Sequence, residues 1–276
     1  MKENRKGLII LEIVLIVLAL FYLYPIFLVV GNSLKSYKEV MTDVIALPKQ
    51  FLFGNYGYVW QYINYPRLFL NNVIITSVGI FGIVFFGSIA SYKLSRTKTR
   101  YSWILYLVCI TPMLIPFQTI MITLLKLAKM VHLSDSVLGL GIQYWAFGAP
   151  IAIFLYHGFI KSIPKEIDEC ALVDGASTFR MFFCIIFPQL KVVTTTLVVI
   201  DVMWIWNDFL LPLLMINGSK DTQTLTLAVY TFLGQYISDW QYAMTAVIMA
   251  VLPSIVFFVL MQKNIIKGVT AGAVKG

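Results

Sequence analysis

Four polar or aromatic side chains interrupt an otherwise apolar run near the C-terminal third of the chain: Asp201, Trp204, Asn207 and Asp208, in "DVMWIWNDF". An ionisable group inside a membrane-crossing segment is costly and is therefore a functional candidate by default. Asp201 follows Lys191 by about ten residues, which on a helix is roughly 15 Å of rise. At helical spacing, Trp204 and Asp208 share a face with Asp201 more nearly than Asn207 does. Aromatic faces beside hydrogen-bonding groups suit the ring faces and hydroxyls of a sugar. Two other uses are open to the same residues: internal hydrogen bonds that hold helices together, or an ion-coupling site at Asp201. Asn71, Asn72, Gln118 and Gln143 are further polar residues in apolar surroundings, suited to lining a path or to helix contacts.

A second constellation lies in "KSIPKEIDECALVDGASTFRMFFCIIFP", residues 161–188. Ser162 is a candidate N-cap and Pro164 suits a first helical turn, where its missing N–H has no partner. Glu166, Asp168 and Glu169 follow at the positive end of the helix dipole. Asp174-Gly175 is a turn signal, because glycine adopts positive φ without strain. Ser177 is a candidate cap for a second helix carrying Phe179, Phe182, Phe183 and Ile186 and stopping at Pro188. Ile167, Cys170, Ala171 and Ala176 are expected to leave a small, flat apolar surface near the turn.

Other chemistry is poorly served. The chain has no G-x-x-x-x-G-K-[ST] loop, so it does not bind ATP in the usual way. His132, His157, Cys109, Cys170 and Cys184 show no metal-ligand spacing and no disulfide framework. No nucleophile has a recognisable base, which argues against a membrane-embedded enzyme.

The elements that must position these residues are membrane spans. The chain is 276 residues, 59% hydrophobic and 12% charged, and its mean hydropathy is +0.84. Soluble domains carry about 25% charged residues. The net charge of +8 sits beside apolar runs, which favours a lipid bilayer rather than nucleic acid as the reason for the basic residues. Residues 68–92, 101–125 and 136–160 contain no Lys, Arg, Asp or Glu, and each is long enough to cross. Residues 8–31, with Glu12 near one end, read as a retained first span rather than a cleaved signal. Residues 192–215 and 241–262 complete six, the last tolerating Pro253. Fourteen of the 21 Lys and Arg fall on the side holding both termini and residues 161–188, which places that side in the cytoplasm. The outer segment 32–66 is expected to form short helices and turns with aromatic residues at headgroup depth. The expectation is one all-α domain, residues 1–276, a polytopic bundle of six helices with a cytoplasmic helix-turn-helix at 162–188 and a tail at 263–276.

Glu169-Cys170-Ala171, followed by Gly175, Ile185 and Pro188, closely resembles the EAA loop of the membrane subunits of bacterial ABC importers. With Asp174 and Ala176 the pattern looks like the binding-protein-dependent sugar permeases. Cys170 stands where the family usually has alanine. "SIASYKLSRTK", "WNDFLLPL" and the tail "IIKGVTAGAVKG" are similar to other segments of the smaller of two paired permeases of the maltose-transporter type. The resemblance implies a type I importer permease fold and a non-catalytic subunit in the cytoplasmic membrane. It also implies a second, homologous permease, two cytoplasmic ATPases holding the ATP and Mg, and an extracytoplasmic solute-binding protein. The cargo it implies is a sugar, an oligosaccharide first. Glu169, Cys170, Ala171, Asp174, Gly175, Ala176 and Ser177 would then meet an ATPase, and so would Gly272, Ala273 and Lys275 of the tail. No cofactor and no metal is expected in this chain. The competing reading is an ion-coupled secondary transporter using Asp201.

Overall fold

The computed structural model describes residues 5–216, 218–234 and 238–273. Among these the chain is helical, and its sole β feature is an isolated antiparallel bridge between Leu233 and Ser238. The principal helices are α1 (Arg5–Ser33), α2 (Tyr65–Arg96), α3 (Arg100–Ile110), α4 (Phe117–Met130), α5 (Val137–Lys161), α6 (Glu166–Val173), α7 (Lys191–Asn207) and α8 (Trp240–Ala273). The chain divides into two compact units: one runs to Tyr65 and takes in Ala228–Ala250, the other comprises Pro66–Leu227 and the chain from Val251.

Four helices are long and apolar enough to cross a bilayer singly: Gly7–Ser33, Tyr65–Arg96, Val137–Lys161 and Trp240–Lys263. Two bent helix pairs bring the count to six if each is taken as one span. The expected span 101–125 is two helices bent by 104° between Arg100–Leu114 and Phe117–Met130. Pro116 lacks the N–H that a continuing helix needs, and it forces Ile115 before it into an extended conformation (φ −94, ψ 117). The expected span 192–215 is likewise not continuous, since α7 ends at Asn207 and a short helix resumes at Leu210–Met215. A 74° bend also separates Thr178–Gln189 from α7.

In the first unit, α1 is apolar on every side and its membrane window is unburied, the pattern of a helix left to lipid or to another chain. The segment beyond it folds as two short helices, Tyr37–Thr42 and Gly54–Tyr62. Lys35 organises this region from a fully buried position. Its Nζ donates to Asn32 Oδ1 (3.1 Å) and to the carbonyls of Asp43 (2.8 Å) and Val44 (3.3 Å). One amide side-chain oxygen and two backbone carbonyls thus replace the water that a buried ammonium loses. Asn55 donates to the carbonyls of Ser33 and Lys35. The N–H groups of Ala46 and Ile45 hold the Asp43 carboxyl below its ordinary pKa.

In the second unit, α2 and α5 pack through small residues. A Cβ on Gly82 would lie 2.1 Å from Trp145 Nε1, one on Gly148 2.2 Å from Ile83 Cδ1, and one on Gly141 2.8 Å from Val78 Cβ. Lipid tails are as apolar as leucine, so close backbone approach and interhelical hydrogen bonds supply the association energy. Trp145 Nε1 donates to Val78 O at 2.7 Å, and Ser91 Oγ to Ile153 O at 3.1 Å. Tyr156 Oη donates to Thr194 Oγ1 (2.9 Å), joining α5 to α7.

Candidate functional sites: a polar pocket and a helix-turn-helix loop

Asp208 is where α7 stops. Its backbone turns extended (φ −66, ψ 139), and both carboxylate oxygens are used locally. Oδ1 accepts from Leu210 N (3.0 Å) and Oδ2 from Tyr144 Oη (2.8 Å). Thr226 Oγ1 donates to the Asp208 carbonyl (2.8 Å), which the helix no longer employs. The next segment is thereby aimed across the end of α7, opening a pocket of ≈ 220 Å³. The rings of Phe117, Phe147 and Trp204 form its apolar walls, and Gln118 and Asp208 supply the polar groups. Trp204 is 40% exposed and meets Tyr144 edge-on at 5.4 Å. The break at Pro116 brings Phe117 and Gln118 here, as the first residues of α4.

The sequence candidates separate at this point. Trp204, Asp208 and Gln118 line the pocket. Asp201 does not: it is 1% exposed inside the bundle, and its Oδ2 has no hydrogen-bond partner among the described residues. Asn207 Nδ2 donates to Met203 O (2.7 Å) and its Oδ1 accepts from Ser254 (3.2 Å), so it braces α7 against α8. Asn71, Asn72 and Gln143 are also braces. Asn71 binds the carbonyls of Asp221 and Gln223. Asn72 donates to Trp206 O and accepts from Leu225 N, and Gln143 donates to Leu133 O. Sequence reasoning missed Tyr144, Phe117 and Phe147. The hydroxyl of Tyr144 within an apolar run was the available signal.

The loop is built as a helix, a left-handed turn and a distorted second helix. α6 closes on Gly175 at φ +77, with Gly175 N donating to Leu172 O (3.0 Å) and Ala176 N to Ala171 O (2.9 Å). This is a Schellman closure, which satisfies carbonyls that a helix end leaves free. Ser177 Oγ caps the second helix by accepting from Arg180 N (3.3 Å). That helix passes through a π-helical stretch, Met181–Ile186, and continues through Pro188 to Gln189. The helix thus runs one residue past Pro188 rather than stopping at it. Ser162 does not cap α6. It terminates α5, its Oγ donating back to Phe159 O (2.8 Å), and Lys165 precedes α6 without a side-chain cap.

The apolar surface is also differently composed. Ala171 is buried at 5%, and Ile167 and Ala176 pack against the core. The side chains turned outward at the tip are Leu172 (56% exposed), Val173 (88%) and Phe179 (72%). Glu169, Cys170, Asp174 and Ser177 are exposed beside them. Helical spacing explains the exchange, since Asp168 and Ala171, three apart, face inward and send Val173 outward. Phe182 anchors the loop against Tyr92 (5.2 Å) and Phe183 against Phe85 (6.0 Å). Of the tail, Gly272 and Ala273 are the last residues of α8, and Lys275 lies outside the described residues.

Residues 83–271, from the middle of α2 through the loop and pocket to the end of α8, match the family described as binding-protein-dependent transport system inner membrane component. The chain belongs to this family. The permease is a multi-pass, non-catalytic membrane subunit of a transporter. It is 40% identical over 261 residues, 94% of each chain, to the "Probable starch degradation products transport system permease protein AmyC" of Thermoanaerobacterium thermosulfurigenes. It is 34% identical over 99% of each chain to the melibiose/raffinose/stachyose import permease protein MelC of Bacillus subtilis (strain 168). Among solved structures, a bacterial ABC transporter involved in the import of the acidic polysaccharide alginate has a chain that superposes with a TM-score of 0.77. The match covers 95% of the permease and 98% of that chain at 21% identity, which is a likeness of fold.

Proposed function

We propose that the permease forms part of the translocation path of an ATP-driven importer for a carbohydrate, an oligosaccharide first, in the cytoplasmic membrane. The observation that carries the reading is the loop tip: Leu172, Val173 and Phe179 stand exposed at a hydrogen-bonded Schellman turn beside Glu169 and Asp174. An apolar tip ringed by acids on an ordered turn fits a cleft on another protein. The partners are two cytoplasmic ATPases, which hold the ATP and Mg, a second homologous permease and an extracytoplasmic binding protein. Glu169, Cys170, Asp174, Gly175 and Ser177 face the ATPase, with Ala171 and Ala176 supporting the turn from within. Gly272, Ala273 and Lys275 form a second contact with the ATPases. Ion coupling through Asp201 is not favoured, because the family is one of binding-protein-dependent transport.

The pocket is the proposed sugar contact on this subunit. Trp204 offers a ring face, while Asp208 and Gln118 offer acceptors and donors. Trp204→Ala and Asp208→Asn, in the complete transporter, are expected to lower uptake of radiolabelled maltotriose or raffinose by about tenfold, equivalent to ~1.4 kcal/mol. Co-purification of the ATPases should be retained. Parental uptake in both variants would remove the pocket from the path, and uptake of neither sugar by the parent complex would count against an oligosaccharide cargo.

With six crossings both termini and the loop fall on one side, and the Lys and Arg bias of the sequence makes that side the cytoplasm in this reading. A reporter fused after Gly276 is expected to be active only in its cytoplasmic form, and a tag at Gln50 to be labelled from outside intact cells. Labelling of the C-terminal fusion on intact cells would invert the topology.

A further inference from the structure

The loop is joined covalently to α5 and α7, yet its firmest polar attachment is to α2. Asp168, on the inner face of α6, has one carboxylate oxygen bound by Tyr92 Oη (2.6 Å) and the other paired with Arg96 Nη2 (2.7 Å). Tyr92 and Arg96 stand one turn apart at the cytoplasmic end of α2, so they grip the carboxylate from a single helix face. The ion pair is largely buried, with side-chain exposures of 13% for Arg96 and 12% for Asp168. Arg96 Nη1 reaches further, to the carbonyls of Ile160 (3.3 Å) and Ile163 (3.0 Å) where α5 ends. Lys165 Nζ, just before α6, donates to Arg96 O at 3.4 Å. The ends of α2 and α5 and the start of α6 thus converge on one guanidinium, whose planar fork fixes geometry as a lysine ammonium cannot.

The far end of α2 is attached just as specifically. Asn72 donates to Trp206 O (3.3 Å) and accepts from Leu225 N (2.9 Å), on either side of the Asp208 bracket. From Asn72 to Arg96 the helix is continuous, about 36 Å at helical rise. We propose that Asp168, Tyr92 and Arg96 are positioning residues that form a strut, through which displacement of the loop is passed to α2 and from it to the wall of the Trp204–Asp208 pocket. A salt bridge serving stability alone needs neither the second grip by Tyr92 nor a rigid element ending at the pocket. The inference rests on the reading of the loop as the ATPase-facing element.

The test uses the complete transporter in lipid nanodiscs, with a membrane-impermeant maleimide as probe and two cysteine reporters. Native Cys170, exposed on α6, reports the loop after Cys109→Ser and Cys184→Ser. Leu210→Cys, at the pocket, reports the path with Cys170→Ala added. In the parent, trapping with ATP and vanadate is expected to change the labelling rate of both sites relative to ADP by about fivefold or more, the lower end of coupling between linked sites. Arg96→Gln is expected to keep the response at Cys170 and lose it at Leu210→Cys, with Arg96→Lys recovering part of it and Tyr92→Phe intermediate. Full responses of both reporters in Arg96→Gln would overturn the strut. So would loss of both, which would make Arg96 a support of the loop alone, and so would a parent whose pocket reporter is silent while Cys170 responds. A parent in which Cys170 itself is silent would instead fail the ATPase-facing reading. If Arg96→Gln does not assemble, Tyr92→Phe, which loses one hydroxyl, is judged by the same outcomes.

Discussion

Gly175→Pro is expected to abolish uptake of maltotriose or raffinose by the assembled transporter while leaving the permease in the membrane. Gly175 lies at φ +77, and a proline ring holds φ near −65°. The substitution also removes the N–H that closes the turn onto Leu172 O at 3.0 Å. The loop tip must then take another course, displacing the exposed Val173 and Phe179. Gly175→Ala separates conformation from space. A Cβ at this position meets nothing within 4 Å, so its cost is that of a left-handed alanine alone, about 1–2 kcal/mol. Its effect should be a partial loss of uptake, and Gly175→Asn, which tolerates this conformation, should be milder still. Membrane immunoblots, ATPase co-purification and uptake measured together check the series. Parental uptake in Gly175→Pro would exclude the turn from coupling.

A loss of stability is expected from a single carbon at Gly82. The first atom of any side chain there lies 2.1 Å from Trp145 Nε1, and the neighbouring ring atoms are scarcely farther. The indole cannot swing aside freely, because its N–H is bound to Val78 O. Gly82→Ala therefore forces α2 and α5 apart or costs that hydrogen bond, a penalty of ~1–3 kcal/mol of overpacking; Gly82→Val should exceed it. Gly158→Ala provides the contrast on α5. Its Cβ would meet nothing within 4 Å, and alanine is the better helix former by about 0.8–1 kcal/mol. Thermal unfolding of the purified protein in detergent should thus move in opposite directions for the two variants. Equal midpoints would show that the glycine contacts do not set the helix spacing.

The two effects differ in what betrays them beforehand. Asp174-Gly175 announces a turn in any context, because the demand for positive φ is local and glycine answers it cheaply. Gly82 announces nothing: its necessity comes from Trp145, 63 positions away in the chain, and only the packed pair of helices reveals it.

The same division runs through the whole molecule. Uncharged runs, the distribution of Lys and Arg, and the Glu169–Pro188 spacing are properties of the chain read in order, so the spans, their expected sidedness and the loop were legible in it. So was the break at Pro116 in principle, since a proline disrupts a helix wherever it stands, although an apolar run conceals the result. What the tertiary structure alone decided is which polar group serves which purpose. Asp201 and Asp208 lie seven positions apart on one apolar background, yet one is sealed in the bundle and the other becomes a pocket wall. The difference arises because Tyr144 and Thr226, distant in sequence, hold Asp208 out of the helix. Asp168 reads locally as one of three acids at a helix start, and its engagement by Tyr92 and Arg96 follows only from the fold bringing α6 to the end of α2. Local conformational preference acts over a few residues. The choice of partner for a buried polar group is made by whatever the fold places within hydrogen-bonding distance, because burying it unpaired costs more than any local preference recovers.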